Sequence, residues 1–349
     1  MSDIRNDLLD TVDRLCEEQC TRAVLVAAEQ GEWPTVLWDG LEDLGLVRAL
    51  LPEEAQGSAL EFDDVMAVLR RCAYHAVPLP LGETMLAGRL LLAAGLQVPR
   101  GPITVVPPGR EPLAIRIEGA SARVSGSAVR VPWANTCAHA VVVGHAESGP
   151  VIGVVATGGC VTAVQRNLAG EPRCDMHWTD APLLSMAPFP GDIERLRAEG
   201  ALVRSVQMAG ALERILAYSL QYASERVQFG KPIGKFQAVQ HMLALLAGHS
   251  AAAGAAADMA VEASTGEADG FAVAVAKSRT GEAAGKGAEI AHQVHGAMGF
   301  THEHNLHHCT RRLWSWREEF GNESFWQERL GRQVAAAGPQ ALWPTITAL

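Results

Sequence analysis

The chain has 349 residues and a formal net charge of −10, with 48% hydrophobic and 19% charged residues. This length is enough for two or three domains with cores of their own, and the composition excludes a disordered chain. The acidic balance argues against general affinity for nucleic acid or an anionic membrane, although a local basic patch would still bind an anionic ligand. Seven scattered cysteines and a polar, acidic N-terminus predict a reduced cytoplasmic protein without a signal peptide.

The first 100 residues predict a helical domain. Apolar residues recur there at the spacing of one helix face, first at Leu8, Leu9, Val12 and Leu15. Two more stretches with this spacing follow, and a boundary rich in Pro and Gly lies at residues 98–102. We therefore place an N-terminal helical domain at residues 1–100.

Residues 101–188 predict a small β domain. Short β-type runs are separated by Gly or Pro at intervals of about 8–12 residues, which indicates an antiparallel barrel or sandwich. The runs lie at residues 103–106, 114–118, 122–124, 140–143 and 151–155. Helical spacing is not found between them.

Residues 189–349 predict a four-helix bundle. Helical patterns run from about residue 202 to 220, from Phe236 through an Ala-rich tract, from Phe271 to His295, and from Arg311 to Ala337. No apolar run approaches the ~20 residues of a membrane span, so we expect no membrane association.

The segment from Glu225 to Gln240 joins two of these helices. It turns on Gly230, Pro232 and Gly234, and it places Arg226 and several backbone N–H groups at a helix junction. Such a junction suits an anionic ligand. The alternative is a plain helix hairpin with a solvated Arg.

A second segment, from Gln293 to His304, begins Gln-Val-His-Gly-Ala-Met-Gly-Phe. It predicts a helix that ends in a Gly-rich cap, where Gly296 and Gly299 permit close backbone approach. The alternative is an ordinary helix stop.

Together, these two segments closely resemble the signatures of the flavin-dependent acyl-CoA dehydrogenases. The resemblance implies an α+β fold with the same order of a helical domain, a β domain and a helical bundle. It also implies FAD at a subunit interface. The residues implied to contact the FAD of a neighbouring subunit are Arg226, Phe229, Gln237, Gln293, Gly296 and Ala297, the last standing where the family usually has a second Gly.

The resemblance further implies a carboxylate base that removes the α-proton of an acyl-CoA while the β-hydride passes to flavin. The usual position of this base corresponds to Phe320, which cannot accept a proton. Glu318 and Glu319 lie near, but a shift of one or two residues rotates a helical side chain by ~100–200°. The alternative family position corresponds to Gly200, beside Glu199. Glu319, Glu318 and Glu199 are therefore candidates, and none occupies a usual base position.

Other departures concern the flavin contacts that a subunit makes within itself. The loop Thr104–Arg110 lacks the acid, Ser and Asp of the family loop, Val131–Ala134 replaces a flavin-flanking Trp-Ile-Thr-Asn string, and Gln228 replaces a Thr. The half of the site that reaches across to a partner's FAD is retained, whereas the half within the subunit looks degraded.

A histidine-rich segment follows the second signature, with His302, His304, His307, His308 and Cys309. Such spacing is compatible with a metal ion, but the adjacent Arg311 and Arg312 would repel a cation. We expect a polar interface within the bundle and no metal site.

Three functions remain open at this point. The first is a non-catalytic subunit of a heteromeric acyl-CoA dehydrogenase, resembling the short subunits of steroid-degrading systems, in an α2β2 assembly with a homologous catalytic subunit. Its substrate would be an acyl-CoA and its electron acceptor an electron-transfer flavoprotein. The second is a self-sufficient acyl-CoA dehydrogenase. The third is a flavin-free scaffold.

Overall fold

The computed structural model describes residues 3–119 and 121–347, and helices, strands and helices follow one another in the predicted order. The helices are α1 (Asp3–Gln19), α2 (Arg22–Gln30), α3 (Thr35–Asp43), α4 (Phe62–Tyr74), α5 (Leu81–Ala93), α6 (Ile193–Glu225), α7 (Gln237–Ala263), α8 (Gly270–His295), α9 (Leu306–Glu318), α10 (Glu323–Ala337) and α11 (Pro339–Thr347). The strands are β1 (Ile103–Val105), β2 (Leu113–Glu118), β3 (Ser121–Pro132), β4 (His139–Ala146), β5 (Gly149–Ala156), β6 (Val161–Arg166), β7 (Pro172–Pro188), β8 (Val227–Gln228) and β9 (Lys231–Pro232).

The chain divides into two compact units. The first comprises the described residues within Met1–Leu25, Met66–Val77 and Ala201–Leu349, and the second those within Val26–Val65 and Pro78–Gly200. The three-domain division expected at residues 100 and 188 stays a prediction.

The second unit contains a closed β-barrel. Its strands follow the order β4, β2, β3, β7, β5, and β5 pairs again with β4. Closure leaves the ring without a free edge, which would otherwise be open to pairing with other chains. The predicted β domain is thus confirmed, with one difference: β1 and β2 both run parallel to β4, whereas the prediction was of antiparallel pairing alone.

Inward and outward side chains alternate along the strands, and the inward apolar side chains fill the barrel interior. In β2, Leu113 and Ile115 point inward and Arg116 points to solvent. Gly144 of β4 stands opposite Leu113, where a Cβ atom would overlap the Leu113 carbonyl group, so this close approach of two strands requires Gly. The core comprises mainly Val, Ala and Leu with Met176 and Trp178.

Strands β6 and β7 were not identified from the sequence. The β6 strand is exposed over nearly its whole length, so it lacks an apolar face. Polar residues such as Arg173 and Asp175 interrupt β7, whose partners β3, β5 and β6 are set by the barrel rather than by neighbours in the chain. Both strands depend on long-range pairing that local patterns do not report.

The first unit is built around the helical bundle, whose core is rich in small and aliphatic side chains. Buried Ala residues of α7, such as Ala253 and Ala257, contribute to it together with Ala283, Ala284 and Ala291 of α8. Small residues let helix axes approach closely. The predicted close packing of the Ala-rich tract agrees with this arrangement.

The predicted fourth bundle helix, Arg311–Ala337, is wrong as a single helix. It is two helices, α9 and α10, separated at Phe320 and Gly321, whose φ angles are 56° and 94°. A positive φ cannot continue a right-handed helix. The Asn322 side chain then accepts a hydrogen bond from the Phe325 N–H at 3.1 Å and begins α10.

Among the described residues, α7 alone is long and apolar enough to cross a membrane by length and composition, with 39% of its most apolar window buried in the protein. This differs from the sequence analysis, which found no such run. A buried helix of a globular core passes the same test, so the absence of membrane association stays a prediction.

Candidate functional site

The first predicted cofactor segment is a short hairpin at the end of α6. Strands β8 and β9 pair through Val227 with Pro232, and Phe229 and Gly230 make the turn with φ angles of 52° and 80°. The Arg226 N–H donates to the Tyr222 carbonyl group at 2.9 Å, which extends the α6 hydrogen-bonding pattern by one residue. The backbone hydrogen bond therefore fixes the position of the Arg226 Cα atom, from which the side chain extends.

The side chains of this hairpin project into solvent. Arg226 is exposed, and its guanidinium makes no hydrogen bond or ion pair with any residue in the described part of the chain. Phe229 is 92% exposed, and its ring packs edge-on with Phe236, with ring centroids 6.1 Å apart. Gln237, the first residue of α7, is also exposed. The three predicted residues are therefore all exposed, in the hairpin and at the start of α7.

The second predicted cofactor segment ends α8. Gln293 is exposed between two buried histidines, His292 and His295. Gly296 follows with a φ of 57°, and a Cβ atom there would meet nothing within 4 Å. Ala297 is exposed as well. An amide side chain and open backbone therefore face outward, while the adjacent imidazoles hold the helix end to the bundle.

His292 anchors the turn after α8 from inside. Its ring stacks on Phe300 at 4.4 Å and on Trp314 at 5.7 Å, and its Nε2 lies 2.9 Å from the Thr310 hydroxyl. A Cβ atom at Gly299 would come within 3.1 Å of His292 Nδ1, so the turn lies directly against this ring. Burial lowers the pKa of His292, which favours the neutral imidazole.

His295 joins the ends of α8 and α6. Its ring stacks on Tyr222 with centroids 4.6 Å apart and an interplanar angle of 25°. Its Nδ1–H donates to the Ala291 carbonyl oxygen at 2.7 Å. The His304 ring packs edge-on against it, with ring centroids 4.6 Å apart. Burial lowers the pKa of His295, and it lowers the pKa of His304 to about 4.

These outward groups fit a diphosphate. A guanidinium without a competing carboxylate offers several donors to phosphate oxygens, and an amide and open backbone add uncharged donors. Arg226 and Gln293 supply the first two, and the segment from Gly296 to Ala297 supplies the third. The residues present are therefore suitable for holding the anionic part of FAD.

The junction between α9 and α10 contains Phe320, the residue that the resemblance predicts at the family's usual base position. This residue is 9% exposed, and its carbonyl oxygen accepts from Trp326 Nε1 at 3.1 Å. The fully buried Lys277 donates from Nζ to the carbonyl oxygens of Arg317 and Gly321 at 2.7 and 2.6 Å. Burial lowers the pKa of Lys277 to about 7, and the nearby Glu319 opposes that shift.

Neither glutamate beside Phe320 resembles an available base. Glu319 Oε2 accepts from Arg204 Nη2 at 2.7 Å and from Arg204 Nε at 2.8 Å. Glu318 is exposed and accepts from Asn322 Nδ2 at 3.2 Å. The first carboxylate is held in an ion pair, and the second is bonded to Asn322 and lies 3.9 Å from the Arg317 guanidinium.

Glu199, the third candidate, belongs to the second unit. It is 2% exposed, and its Oε2 accepts from Arg89 Nε at 2.8 Å. The Arg89 guanidinium also lies 3.9 Å above the Phe62 ring. A buried carboxylate with so close a guanidinium partner has the environment of a structural ion pair.

Two segments, Thr104–Arg110 and Val131–Ala134, were predicted to differ from the family motifs that contact flavin within the same subunit. Side chains of both segments are buried in the second unit. Thr104 is fully buried, and its hydroxyl donates to the Pro132 carbonyl oxygen. Trp133 is buried with a φ of 55°. Both side chains contribute to the unit's interior instead of projecting from it.

The histidine-rich segment is divided between surface and interior. His302 is exposed, His304 and His307 are half-buried, and His308 is buried. The carbonyl oxygens of His302 and Glu303 accept from Arg22. The expectation that this segment holds no metal stays a prediction.

Several residues of this region were not identified from the sequence: Tyr222, His292, His295, Lys277 and Arg204. Three of them had a recognisable position in the sequence. Tyr222 lies one helical turn before Arg226, and His292 and His295 flank Gln293 on the inward face of α8. Lys277 and Arg204 had no local signal, because their partners are distant in the sequence.

Comparison with known proteins agrees with the fold and the segments above. Residues 2–97 match the acyl-CoA dehydrogenase N-terminal domain, and residues 194–334 match the acyl-CoA dehydrogenase C-terminal domain. The chain is 30% identical to acyl-CoA dehydrogenase IpdE2 of Mycolicibacterium smegmatis over 313 residues, which cover 88% of this chain and 91% of that protein.

Two solved structures share the fold. The ChsE4–ChsE5 complex from Mycobacterium tuberculosis has a TM-score of 0.86 and 23% identity, covering 97% of this chain and 99% of the matched one. A variant of the Tcur3481–Tcur3483 steroid ACAD has a TM-score of 0.85 and 23% identity, covering 96% and 98%. The family generally binds FAD. With the sequence match, the domain matches and the shared fold, this chain belongs to the acyl-CoA dehydrogenase family.

Proposed function

We propose that this chain is the non-catalytic subunit of a heteromeric, FAD-dependent acyl-CoA dehydrogenase and that it completes the FAD site of a homologous catalytic subunit. The observation that carries the proposal is a contrast between two sets of residues. Arg226 and Gln293 face outward, whereas the base position is Phe320 and the nearby Glu319 is paired with Arg204.

The chain's own residues would bind the cofactor from one side. Arg226 directs its guanidinium to the diphosphate, Phe229 lies against the cofactor, and Gln237 adds a contact at the start of α7. Gln293 and the backbone at Gly296 and Ala297 bind the diphosphate from the end of α8. The chemistry that bound FAD would supply is acceptance of the hydride from the β-carbon of the acyl-CoA, and the partner subunit would supply the base. The product is a trans-2-enoyl-CoA.

The similar structures support a heteromeric assembly and a bulky substrate. One is a complex of ChsE4 with ChsE5, and the other is a steroid ACAD named for two components. We infer an α2β2 assembly that acts on a steroid-type acyl-CoA in the cytoplasm and passes its electrons to an electron-transfer flavoprotein.

Co-expression with the acyl-CoA dehydrogenase subunit encoded beside this chain tests the proposal. Turnover of an acyl-CoA with an artificial electron acceptor is measured together with flavin per assembly. The three candidate bases are replaced in turn as Glu318→Gln, Glu319→Gln and Glu199→Gln. Each variant should retain turnover within a few fold if the partner subunit supplies the base. Removal of a true acid–base group would instead lower the turnover rate by ~10²–10⁴-fold.

The alternatives give distinct results. A thousandfold fall in any one of these variants, with flavin retained, would favour the self-sufficient enzyme, as would full activity of this chain alone. An assembly without a flavin absorption spectrum would favour the scaffold. Sedimentation provides the assembly mass, and a mass near the 37.1 kDa of one chain, with and without the partner, would contradict the proposed complex.

A further inference from the structure

The two segments proposed to contact FAD are far apart in the chain, yet one diphosphate must reach both. Arg226 follows the last residue of α6, and Gln293 lies near the last residue of α8. The backbone of each segment is set by its own helix. A contact between the two helix ends is therefore needed to fix the distance between Arg226 and Gln293.

The stack of Tyr222 on His295 makes this contact. Tyr222 stands one turn before Arg226 in α6, and its carbonyl oxygen accepts the Arg226 N–H at 2.9 Å. His295 stands two residues after Gln293 and immediately before Gly296. The rings are 4.6 Å apart and nearly parallel, at 25°. Each ring thus lies within one helical turn of a residue proposed to contact the cofactor.

The stack is held in place by further contacts. The His295 Nδ1–H donates to the Ala291 carbonyl oxygen at 2.7 Å, which fixes the ring plane. The His304 ring presents its edge to His295 at 4.6 Å and to Tyr222 at 6.3 Å. Stacked and edge-on aromatic pairs have defined geometry, unlike aliphatic contacts, which permit sliding.

We propose that Tyr222 and His295 are positioning residues that set the separation of Arg226 and Gln293 for a single FAD diphosphate. This inference rests on the proposed function, since it assumes that both segments contact the cofactor. Neither ring has to touch FAD. They act through the residues beside them, and their loss lowers FAD affinity without removing a donor.

The test is the FAD dissociation constant of the co-expressed assembly, obtained by titrating FAD into the flavin-stripped complex. Tyr222→Leu and His295→Leu remove the stack, whereas Tyr222→Phe retains it. Each Leu variant should bind FAD roughly tenfold more weakly, and Tyr222→Phe should stay within about twofold. His241→Leu, at an exposed position of α7, is the matched control and should leave the affinity unchanged.

A double-mutant cycle separates positioning from general stability. In the Arg226→Ala background, Tyr222→Leu should cause no further loss of FAD affinity, because the group that it positions is gone. Circular dichroism and assembly mass accompany every variant. Should a Leu variant not assemble, His295→Gln replaces it in the cycle, since Gln retains a donor for the Ala291 carbonyl group but has no ring.

The outcomes distinguish this inference from the function on which it rests. If Arg226→Ala weakens FAD binding while the stack variants do not, the positioning role is wrong and the proposed function stands. The same holds if the Tyr222→Leu loss is equal in both backgrounds. If Arg226→Ala leaves FAD affinity unchanged, the proposed half-site itself is wrong.

Discussion

Two regions of the helical unit carry charged side chains near positions important to the family, and their surroundings differ. At the ends of α6 and α8, Arg226 and Gln293 are exposed. At the α9–α10 junction, Lys277 and the pair of Arg204 with Glu319 are bonded to groups within the same unit. Groups that already have buried partners stabilise the fold, whereas an exposed cation without a carboxylate is available to another molecule. The first region therefore has the properties of a binding surface and the second those of a structural joint.

The largest effect that would test this comparison is on stability, at Lys277. Lys277→Met leaves the carbonyl groups of Arg317 and Gly321 without their donor, at roughly 1–3 kcal/mol for each buried acceptor. We expect the free energy of unfolding to fall by about 2–6 kcal/mol in chemical denaturation. Lys286→Met, at an exposed position of the same helix, is the control and should change it by less than about 0.5 kcal/mol. If Lys277→Met lowers the free energy of unfolding no more than Lys286→Met does, the α9–α10 junction is not a structural joint.

The pH dependence of this effect has a defined sign. Burial lowers the pKa of Lys277 from 10.5 to about 7, so between these values the unfolded chain holds a proton that the folded chain has lost. The contribution of Lys277 to the free energy of unfolding therefore increases as pH rises from 7 to 10.5, and it is constant above pH 10.5. The difference between wild type and Lys277→Met should grow across that window. Parallel pH profiles would contradict the lowered pKa.

A smaller effect is expected at Arg226, and on binding instead of stability. A hydrogen bond to a charged group contributes roughly 1.5–3 kcal/mol, so Arg226→Ala should weaken FAD binding by roughly tenfold to a hundredfold. Far-UV circular dichroism should be unchanged, because the side chain has no partner in the described part of the chain. Lys231→Ala removes an equal charge from the same hairpin and is the matched control. Equal losses in both variants would indicate a general effect of charge instead of a specific contact.

The smallest effect concerns His304, which contacts His295. Burial lowers its pKa from 6.5 to about 4, so the unfolded chain takes up a proton in this window before the folded chain does. The contribution of His304 to the free energy of unfolding is therefore complete above pH 6.5, and it is lost as pH falls to 4. Because the side chain is half-exposed and partly screened, we expect a loss of about 1 kcal/mol, reduced in His304→Leu. His302→Leu, at an exposed neighbour, should retain the wild-type profile in acid denaturation.

The sequence predicted the features that depend on local pattern. The order of helical, β and helical regions follows from spacing, and the turn after Arg226 and the cap at Gly296 follow from Gly and Pro placement, although the short strands β8 and β9 were not predicted. The break at Phe320 was missed, because an aromatic residue in a helical pattern gives no sign of a positive φ. Strands β6 and β7 were missed because the barrel, not the local sequence, specifies them.

The candidate site could be predicted only in part for the same reason. Arg226 was predicted because a recognisable segment contains it, and the structure shows it exposed, whereas its contact with FAD stays a prediction. The ion-pair partners of Glu319 and Glu199 could not be predicted from the sequence, since Arg204 and Arg89 are each more than a hundred residues away in the chain. Whether a carboxylate is paired depends on such distant contacts, and these decide its chemistry.

The hairpin of β8 and β9 has a consequence for the chain before assembly. Only two residue pairs join its strands, and the residues from Val227 to Lys231 are exposed, so little free energy opposes local opening. Its amide hydrogens should exchange with solvent far sooner than those of the α8 core. The exposed Arg226, which is followed by Val227, makes the opened hairpin a cleavage site for trypsin-like proteases. Protection of this segment from exchange and from cleavage would then mark the moment at which a partner covers it.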